Sequence, residues 1–206
     1  MKIKSIAAIC KKNKNIAIFE RYSDDGDILT QYIGDGSAVY PVVGLPQLDK
    51  ESLLTIFDVP EKDRDNYFVK TLGVPVGISF EDTDETERHV EREGISIIYS
   101  GRTLKPIRTT RGLVFIESRY LSPVADVLDV LELYERRTAE GTPYIVAKAG
   151  FLLQAVIMPY DVINQQFVES LQSLTRECEF SLSEKERRER EARDRFTFCL
   201  LYTSPS

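Results

Sequence analysis

Apolar and polar positions alternate through the first sixty residues in a way that predicts short strands joined by tight turns. Two apolar runs between residues 5 and 22, SIAAIC and IAIFERY, flank the polar stretch KKNKN, which predicts a hairpin with a basic tip. Residues 28–33 and 37–43 form a second predicted strand pair around a Gly-Asp-Gly turn. Asp49 then begins a short predicted helix that ends before Pro60.

Beyond residue 95 the apolar spacing changes between the strand period and the helix period. Predicted strands cover residues 95–99, 113–116, 144–148 and 151–158. A predicted helix opens at Pro123 and buries Val124, Val127, Leu128 and Leu131. A third predicted helix runs from residue 161 to about residue 176 and buries Ile163, Phe167, Leu171 and Leu174.

Three segments share the order strand, glycine turn, strand and helix: residues 32–57, 106–131 and 144–171. One interpretation is an internal structural repeat. The other is an ordinary α+β domain, because hairpins followed by helices are common in that class. Both interpretations predict antiparallel sheets rather than a parallel sheet with long crossover helices.

Residues 81–94, EDTDETERHVEREG, are rich in acids and nearly free of apolar side chains, which predicts a solvated connector. We therefore expect a first α+β half at 1–80, the acidic connector at 81–94 and a second half at 95–180. Residues 181–206 are expected to form a charged helix followed by a non-native tail.

The predicted charged helix begins at a capping box of Ser183 and Glu186 and carries many Glu–Arg pairs four residues apart. It is polar all round, so it is expected to project into solvent. The chain ends in CLLYTSPS, which looks like translated vector or adapter sequence, so no function is expected for the last ten or so residues.

Composition excludes several classes of protein. Among 206 residues there are one histidine, His89, and three cysteines, which excludes zinc fingers and disulfide frameworks, and no metal or cofactor is expected. Unpaired cysteines favour a reducing compartment, so we expect a cytoplasmic protein of the host cell. No apolar run suits an export signal or a membrane span.

Candidate catalytic groups are few. His89 lies among acids, where a surface position is expected rather than a place beside a nucleophile. The glycine-containing stretches 33–36 and 100–103 lack the spacing of a phosphate-binding loop and predict hairpin turns. Glu117 borders an apolar segment and is expected to pair with Arg119 or face water. No catalytic residue is nominated, and the protein is expected not to be an enzyme.

Positive charge is segregated along a chain whose formal net charge is −6. Two stretches carry basic residues without acids, and we expect them to form a strip that contacts a nucleic-acid backbone. Its candidate residues are Lys11, Lys12, Lys14, Arg102, Lys105, Arg108 and Arg111. The alternative is that basic hairpin tips only keep strand edges soluble.

Two resemblances follow from particular segments. YIGDGSAVYPVVGLP, LLTIFDVPEKDR, RGLVFIESRYLSPVADVLDVLELYERRT and KAGFLLQAVIMPYDVI resemble a family of uncharacterised proteins encoded by prophages of gut Firmicutes. AVIMPYDV is similar to the closing strand of bacterial sliding clamps, whose domains are hairpin-rich with one helix per repeat. A clamp resemblance implies a trimeric ring with basic helices around DNA. The predicted helices are acidic or neutral here, and only Arg136 and Arg137 fit.

We expect an α+β fold of antiparallel hairpin-rich sheets with about three packed helices, a charged C-terminal helix and two similar clamp-like halves. The expected function is a non-enzymatic phage or prophage accessory factor of DNA replication that contacts the DNA backbone and partner proteins. Two alternatives remain open. One is a protein-interaction or regulatory module without nucleic-acid binding, and the other is a carboxylate-dependent hydrolase or transferase.

Overall fold

Helices and strands alternate along residues 3–23, 25–91 and 93–201, which a computed structural model describes. The helices are α1 (Ile3–Asn13), α2 (Lys50–Ile56) and α3 (Gln165–Leu201), and 3₁₀ segments cover Glu61–Asn66 and Ser118–Val130. The strands are β1 (Asn15–Tyr22), β2 (Ile28–Gly34), β3 (Ala38–Val42), β4 (Phe68–Gly73), β5 (Arg88–Val90), β6 (Ile97–Tyr99), β7 (Arg102–Thr109), β8 (Gly112–Glu117), β9 (Leu131–Arg137), β10 (Pro143–Ala149) and β11 (Leu152–Ile157).

Eight strands form one large sheet in the order β4-β1-β2-β3-β11-β10-β9-β5, and β6-β7-β8 form a small sheet. Every pair of neighbours is antiparallel except β1 and β4, which are parallel. The predicted α+β class with antiparallel hairpins is confirmed. The strands at 68–73, 88–90 and 131–137 were not predicted.

Two similar arrangements meet in the middle of the large sheet. The order α1-β1-β2-β3 matches the order 3₁₀ segment (118–130)-β9-β10-β11, and the two sets of strands run outward from the central pair β3 and β11. That pair is antiparallel and short, with Val156 opposite Val39 and Ile157 opposite Ala38. The sheet is thus approximately two-fold about the β3–β11 seam.

The two faces of the large sheet are covered differently. On one face, which we call the core face, α1, α2 and the 3₁₀ segment at 118–130 pack on buried strand residues such as Ile18, Ile33 and Ile145. Because side chains alternate along a strand, the other face carries a second buried cluster. There Phe80 packs edge-on against Tyr32, with ring centroids 4.8 Å apart.

The predicted connector at 81–94 does not separate two halves, and the expected boundary is corrected. It contains β5, which pairs with β9, and strands from both sides of it share the large sheet. Arg136 is fully buried and donates from Nη1 to the Glu81 carbonyl at 2.7 Å and from Nε to Glu87 Oε2 at 2.9 Å. The acidic segment is therefore held on the sheet, and the chain divides instead into the compact units Met1–Asp161 and Val162–Ser206.

The predicted hairpin at 5–22 is a helix followed by a strand. Ile6, Ile9 and Cys10 recur at helical spacing and are buried on one side of α1, whereas β1 begins at Asn15. A continuous apolar run such as SIAAIC fits either a buried strand or a helix, which is why the period was misassigned. The KKNKN stretch contains the end of α1 and the turn into β1.

The three predicted hairpin-and-helix segments are present as β2-β3-α2, β7-β8-3₁₀ segment and β10-β11-α3. Asp49 caps α2 as predicted, because its side chain accepts from Ser52 N at 2.8 Å. The helix predicted from Pro123 is a 3₁₀ segment whose Val124 and Val127 have non-helical backbone angles. It ends at Val130, and Leu131 opens β9 instead of extending a helical face.

The third predicted helix and the charged helix are one continuous helix, α3, of 37 residues. Phe167 is buried as predicted, but Ile163 is 48% and Leu174 is 61% exposed. Because the helix does not restart, Ser183 does not cap it and donates instead to the Phe180 carbonyl at 2.7 Å. Of the predicted tail, residues 202–206 lie outside the described residues.

Candidate nucleic-acid interface

The exposed side of α1 carries lysines and no acid. Lys4 and Lys12 are exposed, Lys11 is partly exposed, and Lys14 follows in the turn after the helix. We call these four residues the α1 lysine face. Lys11 Nζ donates to the Asp58 carbonyl at 3.2 Å. None of the four lysines takes part in a salt bridge among the described residues. Lys11 and Lys12 also lie in the last turn, where positive charge is favourable for a helix dipole.

A buried carboxylate fixes the end of α1. Asp35 is 4% exposed and lies in the β2–β3 turn, where Asn13 Nδ2 donates to its Oδ2 at 2.7 Å. Tyr120 donates its hydroxyl to the same oxygen at 3.1 Å, and Asn15 donates to the Asp35 carbonyl at 2.8 Å. Gly34 permits this turn, because a Cβ there would lie 1.7 Å from the Ala38 carbonyl oxygen. The α1 lysine face is thus attached to a rigid part of the sheet.

The second predicted basic stretch is largely neutralised by its own neighbours. Arg102 pairs with Glu117 and its guanidinium carbon lies 5.0 Å from the centre of the Tyr160 ring. Arg108 is exposed and pairs with Glu93. Both arginines are therefore less available to a phosphate than their sequence context predicts.

The residues predicted to share one strip do not lie together. Lys105 is an odd number of positions from Arg102 and Arg108 on β7, so its side chain leaves the opposite face of that strand. Arg111 lies beyond Thr110, whose N–H donates to Glu135 Oε2 on β9 at 2.7 Å. Five inter-strand steps, about 24 Å, separate β9, which holds this tip, from β1, the strand that follows α1. The single strip is replaced by two separate groups.

Glu117 is held as a structural ion pair. Its side chain is 7% exposed, and Arg119 Nε lies 2.8 Å from its Oε2 while Arg102 contacts Oε1. The predicted pairing with Arg119 is confirmed. Because both of its carboxylate oxygens contact guanidinium groups, Glu117 gives no support to the hydrolase alternative.

Other reactive groups are likewise structural or exposed. Burial raises the pKa of the Cys10 thiol to about 12, so it stays protonated and inert at neutral pH. His89 is exposed on β5, edge-on to Tyr134 with ring centroids 5.4 Å apart. Within the described ranges there is no group of three or more His, Cys, Asp or Glu side chains that could hold a metal ion.

An open groove lies on the face of the sheet opposite α1, beside the β3–β11 seam. Its volume is ≈ 560 Å³, and Tyr32, Pro41, Val43, Leu152 and Leu153 supply its apolar lining. It exists because β3 and β11 pair through only two residue pairs and then separate. Val43 is 81% exposed, so part of this apolar lining faces water.

The sequence indicated the lysines at 11–14 but placed them on a hairpin tip. Arg136 and Arg137, proposed from the clamp resemblance as helix residues, alternate on β9 instead, one fully buried and one at the surface. No helix of the described part is long and apolar enough to cross a membrane. No protein-family model, curated protein or solved structure matches the chain.

Proposed function

We propose that the protein is a non-enzymatic accessory factor of phage or prophage DNA replication, clamp-like in form, that contacts the DNA backbone through the α1 lysine face. The observation that carries this proposal is a helix whose exposed side carries lysines and no acid, seated on the core face of an approximately two-fold sheet. Ammonium groups in such an arrangement bind phosphates by displacing condensed counterions.

This geometry supports the clamp-like form more strongly than the sequence did. The main departure from that resemblance was the absence of a basic helix, and α1 supplies one. The related 3₁₀ segment at 118–130 carries Asp126 and Asp129 and no lysine. The basic residue of that segment, Arg119, pairs with Glu117, so of these two related elements DNA contact is proposed for α1.

The contact should be weakly selective for sequence. Lysines present point charges to phosphates, whereas base discrimination needs planar or bidentate side chains directed into a groove. The role proposed here is to hold or surround DNA without chemistry while partner proteins act. A clamp-like role also implies assembly, and we propose a homotrimer. A strict monomer by light scattering at micromolar concentration would remove the ring and leave only the backbone contact.

The test is a titration of a duplex of about 20 base pairs, read by fluorescence anisotropy, between about 50 and about 200 mM salt. Wild-type protein should bind and lose affinity steeply with salt. Lys11→Ala/Lys12→Ala should reduce the log–log salt slope by about 2, one unit for each lost phosphate contact. Arg176→Ala/Arg188→Ala on α3 removes the same charge and should bind as wild type. Absence of binding by the wild type at about 50 mM salt would refute the proposal.

The groove beside the seam favours a second candidate, a module that binds an apolar peptide without nucleic acid. Its opening presents Val43 to solvent, and Leu152 in its wall is 60% exposed. The same titration separates the two candidates. The second candidate predicts that the protein does not bind DNA at low salt. It also predicts that the protein binds an apolar peptide and that Val43→Glu abolishes this binding.

A further inference from the structure

Three arginines meet at the end of the large sheet farthest from α1. Arg88 on β5 lies directly opposite Glu135 on β9. Arg137 lies two residues beyond Glu135, with its Nε 3.3 Å from Glu135 Oε1. Arg111 is brought there by the tip of the β7–β8 hairpin, where Thr110 donates its hydroxyl to Glu135 Oε1 at 2.6 Å. We call Arg88, Arg111 and Arg137 the arginine cluster.

The carboxylate at the centre of the arginine cluster is buried. Glu135 is 1% exposed and already accepts two hydrogen bonds from Thr110, so its charge is turned inward. Glu140 is exposed in the neighbouring turn, where Gly141 lets the Arg111 guanidinium approach closely: a Cβ on Gly141 would lie 3.0 Å from Nη2. Arg88 and Arg111 are exposed and Arg137 is partly exposed, so these guanidinium groups reach solvent whereas the Glu135 carboxylate does not.

The arginine cluster lies on the same face of the sheet as α1. Val90 and Leu133 belong to the main core beneath α1, and side chains two positions apart on a strand share a face. Arg88 is two positions from Val90, and Arg137 is four positions from Leu133. The lysines and the arginines are thus at opposite ends of one face.

We propose that this face binds one DNA duplex at two points, the α1 lysine face and the arginine cluster. The inference rests on the proposed function. It adds a second contact and the length of duplex that the two contacts span. A separation of about 24 Å corresponds to roughly seven base pairs at 3.4 Å each. Duplex DNA is straight over this length, so a single stem reaches both points only when it exceeds that number.

The test compares hairpin-capped DNA stems of about 6 and about 14 base pairs, titrated into the full chain at about 50 mM salt. For the wild type, the longer stem should bind about tenfold or more tightly than the shorter one, because only it joins both contacts. Arg88→Ala/Arg111→Ala should abolish this difference in affinity between the two stems, which we call the length step. Arg88→Lys/Arg111→Lys should retain it, and Arg176→Ala/Arg188→Ala should match the wild type.

The outcomes separate this inference from the function on which it rests. A wild-type length step that persists in Arg88→Ala/Arg111→Ala would overturn the second contact and leave the α1 contact intact. Equal affinity of the wild type for both stems would also overturn it. Failure of the wild type to bind either stem would overturn the proposed function itself. Circular dichroism of the double variant checks that both exposed substitutions leave the fold unchanged.

Discussion

Arg136 shows how one buried side chain can join distant parts of a chain. Its guanidinium contacts the carbonyls of Ser79, Glu81 and Asp82 as well as the Glu87 carboxylate. The sequence places a run of acids at 81–94 and an arginine in LELYERR, but nothing in either pattern says that they meet. A run of acids predicts a solvated segment unless a buried basic partner is known. The partner of this run, Arg136, lies about fifty residues farther along the chain.

We expect Arg136→Met to destabilise the protein by about 3–5 kcal/mol, because three carbonyls lose their buried donor and Glu87 keeps only Lys148 as a partner. Urea denaturation measures the free energy of unfolding. Arg21→Met is the control, since Arg21 pairs with Glu81 at the surface and should cost about 1 kcal/mol or less. Equal losses for the two variants would contradict the structural role assigned to Arg136.

At the scale of elements, α1 and the 3₁₀ segment at 118–130 are the places where sequence reasoning failed. The turns, the cap of α2 and most hairpin strands followed from glycine positions, Asp49 and alternating apolar residues. SIAAIC is too short and too uniformly apolar to separate a helix from a strand, whereas burial on the sheet selects the helix. Pro123 predicts the start of an α-helix, but the segment forms 3₁₀ turns that pack on the core, and β9 begins at Leu131.

Glu135 on β9 holds the tip of the β7–β8 hairpin through two hydrogen bonds from Thr110, and this contact is expected to depend on pH. Burial raises the pKa of Glu135, but hydrogen bonds from Thr110 and the charge of Arg137 lower it more, so the net pKa is below its ordinary value. The stability that this carboxylate contributes is present above the ordinary glutamate pKa of about 4.3 and is lost as pH falls through the lowered value.

Glu135→Gln should therefore be less stable than wild type at pH 7, and the difference should shrink as the pH falls below about 4. Urea denaturation at several pH values measures both quantities. Glu140→Gln, at an exposed position in the next turn, is the matched control and should follow the wild type. A stability difference for Glu135→Gln that is constant with pH would show that the Glu135 charge does not fasten the hairpin.

At the scale of the whole molecule, the structure differs most from the sequence-based prediction in how the two sets of strands combine. Hairpin-and-helix segments were predicted one by one, and they are present. Their assembly into one eight-stranded sheet depends on the two-residue pairing of Val39 and Ala38 with β11, a contact across more than a hundred residues that no local pattern encodes. The same long-range assembly separates the lysines from the arginines and decides which basic residues share a face.

The central claim, that the α1 lysine face contacts DNA, is tested most directly by amine acetylation of the unsubstituted chain followed by mass spectrometry. The reaction is run with and without a saturating duplex of about 20 base pairs at about 50 mM salt. The account predicts that the lysines of α1 lose reactivity when DNA is bound, while Lys50 and Lys185 keep theirs. Unchanged reactivity of the α1 lysines in a DNA-bound sample would contradict it.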